Sequence, residues 1–424
     1  MLQVSFLRDN KNLVLERLQI KNYNNLDAID EIINKDDLRR NNQKKLDNLS
    51  HQLNSISKKI GSLFQQGRVD EADALKKESI NIKKQINDLQ AEYSLLESAI
   101  KDLLINIPNV PHTSVPSGVS DKDNELIKEN GEIPVLSEYS KPHWDLCDKY
   151  NLVDFKLGNK ITGSGFPVYV GKGAKLQRAL ISYFLDMNIN AGYLEYLPPH
   201  LVNESSGFGT GQLPKFEDDL YKVSLQNSLY LIPTAEVPIT NLFRSMIFKE
   251  NELPIKCTAY SPCFRKEAGS YGKDVRGLNR LHQFDKVEIV EVDLPSSSYS
   301  SLDRMVLHVE TILKGLELPY RIVRLCGGDL SFSSSLTYDF EVYSAGQDKW
   351  LEVSSVSNFE TYQSTRLKLR YKDSKGKNQF CHTLNGSALA LPRIFASLIE
   401  NNQTEMGIKI PNSLVRYTGF DIIN

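Results

Sequence analysis

The sequence contains few cysteines and no long apolar run. Its five cysteines are an odd number and form no CxxC pair, which argues against a zinc site or a disulfide framework and favours a reducing compartment. Nowhere do 18 apolar residues follow one another, and the amino terminus has no apolar core of the kind found in signal peptides. We therefore expect a cytoplasmic protein with no membrane partner.

An excess of charge and a phosphate-binding loop are also missing. The formal net charge is −2, so any binding of nucleic acid must depend on a local patch of cations. No GxxxxGK[ST] motif occurs, which excludes the common coiled-coil ATPases. With 424 residues, of which 40% are hydrophobic, the chain is long enough for a large catalytic core and a second domain.

Two heptad repeats dominate the amino-terminal quarter. Apolar residues recur at alternating spacings of three and four, with one polar lapse at Ser79. The seam consists of Leu46, Leu49, Leu53, Ile56, Ile60 and Leu63, then Leu75, Ser79, Ile82, Ile86, Leu89, Tyr93, Leu96, Ile100 and Leu103. Because Gly67 interrupts the pattern, we expect an antiparallel helical hairpin, about 50 Å long at 1.5 Å per residue.

The charges on this arm leave two interpretations open. Between Lys35 and Ile105 there are 13 Lys or Arg and 11 Asp or Glu, a balance that does not by itself indicate RNA binding and also suits a dimerisation or spacing device. Paired cations could instead follow a phosphate backbone. These pairs are Arg39 with Arg40, Lys44 with Lys45, Lys58 with Lys59, Lys76 with Lys77, and Lys83 with Lys84.

A linker with three prolines, residues 106–118, ends the arm because proline cannot continue a helix. We expect an amino-terminal domain at residues 1–112 and a catalytic domain at 113–424, which the segment Lys141-Pro-His-Trp-Asp-Leu146 introduces. A helical pattern over 175–191 leads to a strand that ends at Pro199, and residues 207–216 are predicted to form a flexible glycine loop.

The segment from Phe264 to Phe284 combines three arginines and three glycines between two runs typical of paired strands. Glycines let the backbone approach a ligand, and guanidinium groups at Arg265 and Arg280 could hold phosphate through bidentate hydrogen bonds. A charged surface turn is the alternative.

Two shorter motifs also suit ligand binding. Thr234 and Glu236 follow a strand and could hold an ammonium group. Glu352 and Ser355 would offer oxygen ligands to Mg²⁺. Each motif is short enough to occur by chance.

The details of Phe264–Phe284, EAGSxGxDxxGLxRxHQF, resemble the second signature of class II aminoacyl-tRNA synthetases and of seryl-tRNA synthetases in particular. Residues 175–199 resemble the first signature, and residues 383–393 resemble the third. The resemblance implies an α+β fold, with an antiparallel catalytic sheet flanked by helices and an amino-terminal coiled-coil arm. It also implies a homodimer that uses ATP and Mg²⁺ to activate L-serine and charges tRNA(Ser), with tRNA(Sec) left open.

The same resemblance assigns roles to individual residues. Serine would contact Thr234, Ala235, Glu236, Arg265, Glu288, Asn385 and Ser387. ATP would contact Arg265, Lys266, Glu267, Arg280, Phe284, Glu352, Val353, Ser354, Ser355 and Arg393. Glu352 and Ser355 would hold the metal, Arg265 and Arg393 would be catalytic, and the paired cations of the arm would bind tRNA. Ala388 and Pro392 replace residues that are often glycine in the family.

Other functions fit parts of the chain. A catalytically silent, RNA-binding relative would not need both signature arginines, and an enzyme that loads a carrier protein would be expected to lack the arm. A purely structural coiled-coil protein would not need residues 192–393 in this form. His282 could act as an acid or base or could simply hold its loop.

Overall fold

A computed structural model describes residues 1–136, 138, 140–223, 228–268 and 276–424. The chain divides into two compact units. The first comprises Leu2–Gln19 and Tyr23–Pro108, and the second comprises Met1, Ile20–Asn22 and Asn109–Asn424. No helix in the described part of the chain is both long and apolar enough to span a membrane.

The first unit is a helical arm. Its helices are α1 (Val4–Asp9), α2 (Lys11–Ile20, of which the last residue belongs to the second unit), α3 (Asp27–Gln65) and α4 (Val69–Ile105). Helices α3 and α4 pack against each other, and every predicted seam position is buried or half-buried. Gly67 adopts φ +73° in the turn between them, a conformation that glycine reaches without steric cost. The predicted hairpin is confirmed, and the 39 residues of α3 extend about 58 Å.

The second unit contains the remaining elements. Its helices are α5 (His143–Lys149), α6 (Phe155–Ile161), α7 (Gly171–Asn190), α8 (Glu204–Thr210), α9 (Glu236–Asn241), α10 (Ser298–Gly315), α11 (Thr361–Leu367), α12 (Leu391–Asn401) and α13 (Asn412–Thr418). Its strands are β1 (Glu125–Asn130), β2 (Val153–Asp154), β3 (Val168–Tyr169), β4 (Leu194–Glu195), β5 (Leu201–Asn203), β6 (Lys222–Val223), β7 (Leu229–Leu231), β8 (Ile247–Lys249), β9 (Ile255–Phe264), β10 (Gln283–Asp293), β11 (Tyr320–Arg324), β12 (Leu336–Ser344), β13 (Lys349–Asn358), β14 (Arg370–Lys372), β15 (Asn378–Phe380), β16 (His382–Ala390), β17 (Gln403–Thr404), β18 (Gly407–Lys409) and β19 (Ile422–Ile423).

An eight-stranded sheet forms the centre of this unit, in the order β1-β11-β12-β13-β16-β10-β9-β4. Its pairings are antiparallel except for β4, which runs parallel to β9 at one edge. The predicted hairpin around Phe264–Phe284 is formed by β9 and β10. The expected α+β fold is confirmed.

The two faces of the sheet differ because side chains alternate along each strand. Val287 and Ile289 of β10 and Leu384 of β16 belong to the large apolar core, together with side chains of α7, α10 and α12. The residues between them are polar and face the opposite side. One face of the sheet is therefore packed against helices. The other face is apolar where Val290 and Val292 pack beside α9 and α11, and its polar part around Lys286 and Glu288 is left for a ligand.

One prediction about this unit is wrong. The start of the proposed flexible glycine loop, residues 207–210, belongs to α8, which is capped by the side chain of Asn203. A Cβ on Gly207 would lie 2.9 Å from Leu213, and one on Gly209 would lie 2.6 Å from Leu367. These glycines therefore allow close packing of the helix.

Candidate active site

A cavity of about 680 Å³ lies on the polar face of the sheet. Its floor is made by alternate residues of four neighbouring strands. They are Thr337 and Asp339 of β12, Ser355 and Ser357 of β13, Asn385 and Ser387 of β16, and Phe284, Lys286 and Glu288 of β10. Since Ser387 pairs with Glu288 across the strands, the register brings these two side chains together.

One end of the cavity is a small pocket rich in carboxylates. Glu236 and Glu288 are both buried there, and Thr234 donates a hydrogen bond of 3.2 Å to Glu288 Oε2. Lys286 forms an ion pair with Glu288, and Gln363 donates a 2.7 Å hydrogen bond to Glu236. The lysine offsets one of the two negative charges, so the pocket suits a small ligand that carries an ammonium group and a hydroxyl.

The protonation of Glu236 depends on this setting. Burial, with a further contribution from the charge of Glu288, raises the pKa of Glu236 from 4.5 to about 7. A cation in the pocket would favour the ionised form and lower that pKa again. A cation in the pocket would therefore compete with a proton for Glu236.

Arg265 and Arg280, both predicted to bind phosphate, line the same cavity. The guanidinium of Arg265 lies 5.2 Å from the ring centroid of Phe284, and its Nε donates to the carbonyl of Pro233 at 3.4 Å. Pro233 immediately precedes Thr234, so Arg265 connects the carboxylate pocket to the rest of the cavity. Arg280 pairs with Glu267 at 2.5 Å, and both line the cavity.

A bulge in β13 places Glu352 and Ser355 on the same side. Residues three apart in a regular strand point to opposite faces. Phe340 of β12 pairs with Ser354 of β13, and the next residue, Glu341, pairs with Glu352. Val353 is therefore an additional residue in β13, and it reverses the alternation of side chains between the two faces of the sheet. Glu352 and Ser355 both line the cavity, and the Ser355 hydroxyl donates to Glu352 Oε1 at 3.4 Å.

Asp339 adds a second carboxylate next to this pair. It lies opposite Ser355 in the strand register, and its buried Oδ1 has no hydrogen-bond partner within the described residues. Burial and then the charge of Glu352 raise the pKa of Asp339 well above its ordinary value. Two neighbouring carboxylates, one with an unpaired oxygen, form a site that a cation would stabilise.

Arg393 enters the cavity from the first turn of α12. Its Nη1 donates to the carbonyl of Glu352 at 2.6 Å, and its Nε donates to the carbonyl of Asn279 at 3.3 Å. Pro392 fits beside it because the first turn of a helix needs no backbone donor at that position. Ala388 is buried and points away from the cavity into the core.

The cavity collects the predicted serine and ATP residues with two exceptions. Ala235 is packed in an apolar cluster, and the exposed Lys266 contributes a backbone hydrogen bond to the carbonyl of Asp219 at 2.9 Å. His282 is stacked on Phe166 and lies 3.1 Å from the carbonyl of Arg265, a position that holds the loop. Residues 269–275 of the predicted glycine-rich loop lie outside the described residues.

Lys286, Asp339 and Thr337 also line the cavity, although they were not predicted from the sequence. Lys286 had a readable signal, since it alternates with Phe284 and Glu288 along one strand. Asp339 and Thr337 had no such signal in the sequence, because only the register of β12 against β13 places them in the site.

Curated relatives resemble the chain over its whole length. Serine–tRNA ligase of Salinibacter ruber is 45% identical over 99% of this chain and 98% of its own. Serine–tRNA ligase of a Hydrogenobaculum strain is 46% identical over 98% of this chain and 99% of its own. The chain belongs to the seryl-tRNA synthetase family.

Domain families and solved structures agree with this membership. Residues 1–111 match the seryl-tRNA synthetase N-terminal domain, and residues 221–402 match the tRNA synthetase class II core domain (G, H, P, S and T). The crystal structure of seryl-tRNA synthetase from Pyrococcus horikoshii complexed with ATP superimposes with a TM-score of 0.93 at 34% identity, covering 100% of this chain and 99% of that one.

The paired cations of the arm fall into two groups, arginines that form ion pairs within the arm and lysines that are exposed. Arg39 and Arg40 both pair with the buried Asp36, at 2.7 Å, and Arg39 also donates to the hydroxyl of Tyr93 at 2.9 Å. Burial alone would raise the pKa of Asp36, but hydrogen bonds from Arg39 and Arg8 lower it. Arg39 thus helps to hold the two long helices together. The lysine pairs are exposed, although Lys76 contacts Asp73 at 2.9 Å.

Proposed function

We propose that this protein activates L-serine with ATP to give seryl-adenylate and then transfers the seryl group to the 3′ end of tRNA(Ser). The observation that carries the proposal is the cavity, in which the buried carboxylates Glu236 and Glu288 share one space with the guanidinium groups of Arg265 and Arg280. Family membership supports the same reaction.

Serine would bind with its ammonium group between Glu236 and Thr234. Its hydroxyl would face Glu288 and Ser387, which pair across β10 and β16, with Asn385 beside them. Its carboxylate would point to Arg265, whose Nε lies near Pro233 at the rim of the pocket. A site that hydrogen-bonds the substrate hydroxyl rejects an analogue that lacks it, because its buried polar groups then stay unpaired.

ATP would occupy the remainder of the cavity, with the adenine ring on Phe284 and the phosphates between Arg265, Arg280 and Arg393. No general base is needed, since the serine carboxylate is anionic at neutral pH. The carboxylate oxygen forms a bond to the α-phosphorus while the bond to the pyrophosphate oxygen breaks. Arg265 and Arg393 neutralise the charge that develops on the phosphates.

Glu352 and Ser355 are the residues that would hold Mg²⁺, and the unpaired oxygen of Asp339 fits a cation at the same place. The metal supplies charge neutralisation and orientation of the nucleotide phosphates. Glu352 remains available for this role because Arg393 binds its carbonyl at 2.6 Å, whereas the nearest carboxylate oxygen is 3.7 Å away.

The tRNA would be held by the exposed lysine pairs of the arm, whereas Arg39 would act mainly inside the arm. We also propose a homodimer formed through the edge of the sheet at β4. Leu194 there is 61% exposed and the nearby Leu197 is 80% exposed, and apolar side chains on an open edge favour association. The five cysteines are free and buried, which supports a reducing compartment such as the cytoplasm.

Charging of tRNA tests the proposal. The purified protein, ATP, Mg²⁺ and radiolabelled serine are incubated with a tRNA(Ser) transcript or with a transcript of a tRNA for another amino acid. We expect acid-precipitable seryl-tRNA only with the first transcript, and none with the Arg265→Ala variant. Binding of the transcript without any charging would support the catalytically silent alternative instead.

A further inference from the structure

A buried histidine outside the cavity contacts the loop that contributes Arg280. His143, in the Lys141-Pro-His-Trp-Asp-Leu146 segment, is completely buried at the start of α5. The completely buried Glu400 of α12 lies 2.8 Å from its Nδ1. Neither residue lines the cavity, and the reaction as described above uses neither of them.

The hydrogen bonds of His143 determine which ring nitrogen carries the proton. The backbone N–H of Leu278 donates to Nε2 at 2.8 Å, so Nε2 must be an acceptor. The proton of the neutral ring therefore lies on Nδ1 and is donated to Glu400. The same Glu400 oxygen also accepts from the backbone N–H of His143 at 2.7 Å. The ring is thus fixed at both nitrogens.

The contact with the loop is closely fitted. Gly277 has φ +70°, and a Cβ there would lie 2.1 Å from Nε2 of His143. On the other side of Gly277, the guanidinium of Arg276 lies 4.6 Å from the ring centroid of Trp144. The first turn of α5 therefore holds residues 276–278 through a backbone hydrogen bond, a close glycine contact and a cation–π contact.

A second set of contacts connects the same loop to α12. Asn279 donates to Oε1 of Gln347 at 2.8 Å, and Gln347 donates to Glu400 at 3.0 Å. The carbonyl of Asn279 accepts from Arg393 at 3.3 Å. Glu400 and Arg393 lie on the same helix, so a shift of the loop relative to α12 would move Arg280 away from Arg393.

We propose that His143 is a positioning residue for ATP: through Leu278 and Glu400 it fixes the loop that carries Arg280 at the correct distance from α12 and Arg393. This inference rests on the proposed function. It predicts a selective effect on the nucleotide, because residues 276–280 adjoin the ATP side of the cavity, whereas the serine pocket is built on β10, β16 and Thr234.

Two substitutions of His143 distinguish the role of Nε2 from the role of Nδ1. In His143→Gln the side-chain oxygen can reach the Nε2 position and accept from Leu278. In His143→Asn the amide can reach the Nδ1 position and donate to Glu400, but the acceptor for Leu278 is lost. A matched control is His382→Gln, which replaces another buried histidine, one that lies 2.7 Å from the Ser298 hydroxyl and does not contact the loop.

The measurement is serine-dependent exchange of pyrophosphate into ATP, with the KM of each substrate and the Tm of each variant. We expect His143→Asn to raise the KM for ATP about tenfold while the KM for serine changes by less than about twofold, in line with the loss of one buried hydrogen bond. His143→Gln should recover most of this loss, and His382→Gln should show neither KM effect.

Equal increases in the KM for ATP and the KM for serine would overturn the proposal and leave His143 with a role in folding only. Equal effects of His143→Asn and His143→Gln on the KM for ATP would do the same. If His143→Asn does not fold, the exposed residue Arg276 provides the test, since Arg276→Gln should raise the KM for ATP about threefold at an unchanged Tm. An unchanged KM for ATP in that variant would contradict the proposal. Absence of exchange in the wild-type protein would instead contradict the proposed function, so the two failures are distinguishable.

Discussion

Serine binding should strengthen as the pH rises from 6 to 8, because a proton and the serine ammonium group compete for Glu236. In the free protein the pKa of this carboxyl is raised to about 7, first by burial and second by the charge of Glu288. Lys286, which also faces the pocket, acts in the opposite direction on Glu236 but is paired with Glu288. Only the ionised form of Glu236 attracts the ammonium group.

The size of the effect follows from the ionised fraction. With a pKa of about 7, roughly one tenth of the free protein carries ionised Glu236 at pH 6 and roughly nine tenths at pH 8. Since apparent affinity scales with the fraction that can bind, the Kd for serine should fall about tenfold over this interval. The serine carboxylate keeps its charge throughout. The ammonium group of free serine also stays largely protonated, because its own carboxylate makes it more basic than the α-amino group of a peptide.

The same shift makes the stability of the free protein depend on pH. The native carboxyl binds its proton more tightly than the unfolded one, so the contribution of Glu236 to the free energy of unfolding decreases as the pH rises from about 4.5 to about 7, by about 3 kcal/mol in total. Bound serine stabilises the ionised form and should offset this loss. Serine should therefore raise the Tm more at pH 8 than at pH 6.

Calorimetric titration of serine at several pH values, together with Tm measurements, checks both expectations. Glu236→Gln, which cannot ionise, is the control: it should bind serine weakly and with little pH dependence in this range. A wild-type Kd that stays constant within twofold between pH 6 and pH 8 would refute the assignment of the ammonium site to Glu236.

Three further predictions concern other parts of the molecule. Arg265→Ala and Arg393→Ala should each reduce adenylate formation by on the order of 100-fold or more at an unchanged Tm, because a charged contact made in the transition state is lost; near wild-type exchange in either variant would place the ATP site elsewhere. Replacement of residues 35–105 by a short linker should leave serine activation intact, since the hairpin buries its own seam, and should abolish charging of tRNA, since the lysine pairs are removed. Normal charging by the shortened protein would show that the arm is only a spacer. Alanine should be activated on the order of 10⁴-fold less well than serine, and threonine less severely so, because Glu288 and Ser387 would face no hydroxyl in alanine; alanine within tenfold of serine would exclude that role for Glu288.

The parts of the fold that were predictable depend on local periodicity. The heptad seam from Leu46 to Leu103 and the strand that presents Phe284 and Glu288 both follow from spacing along the chain. The predicted glycine loop at residues 207–216 was wrong because Gly207 and Gly209 allow close packing against Leu213, six residues away, and against the distant Leu367, contacts that composition does not reveal.

The candidate site was predictable only where short motifs carry its residues. Glu352 and Ser355 were identified as a short motif with oxygen ligands, yet their common orientation depends on the bulge at Val353. Asp339 and His143 contribute through partners more than ten residues away, Glu352 and Glu400. Strand register and helix packing determine those contacts, and neither can be read from spacing in a single sequence.

Exchange of radiolabelled pyrophosphate into ATP, with no tRNA present and with each amino acid tested separately, examines the central claim most directly. We expect rapid exchange with serine, on the order of 10⁴-fold slower exchange with alanine, and loss of exchange in the Arg265→Ala variant. Exchange that does not depend on serine, or that is faster with another amino acid, would contradict it.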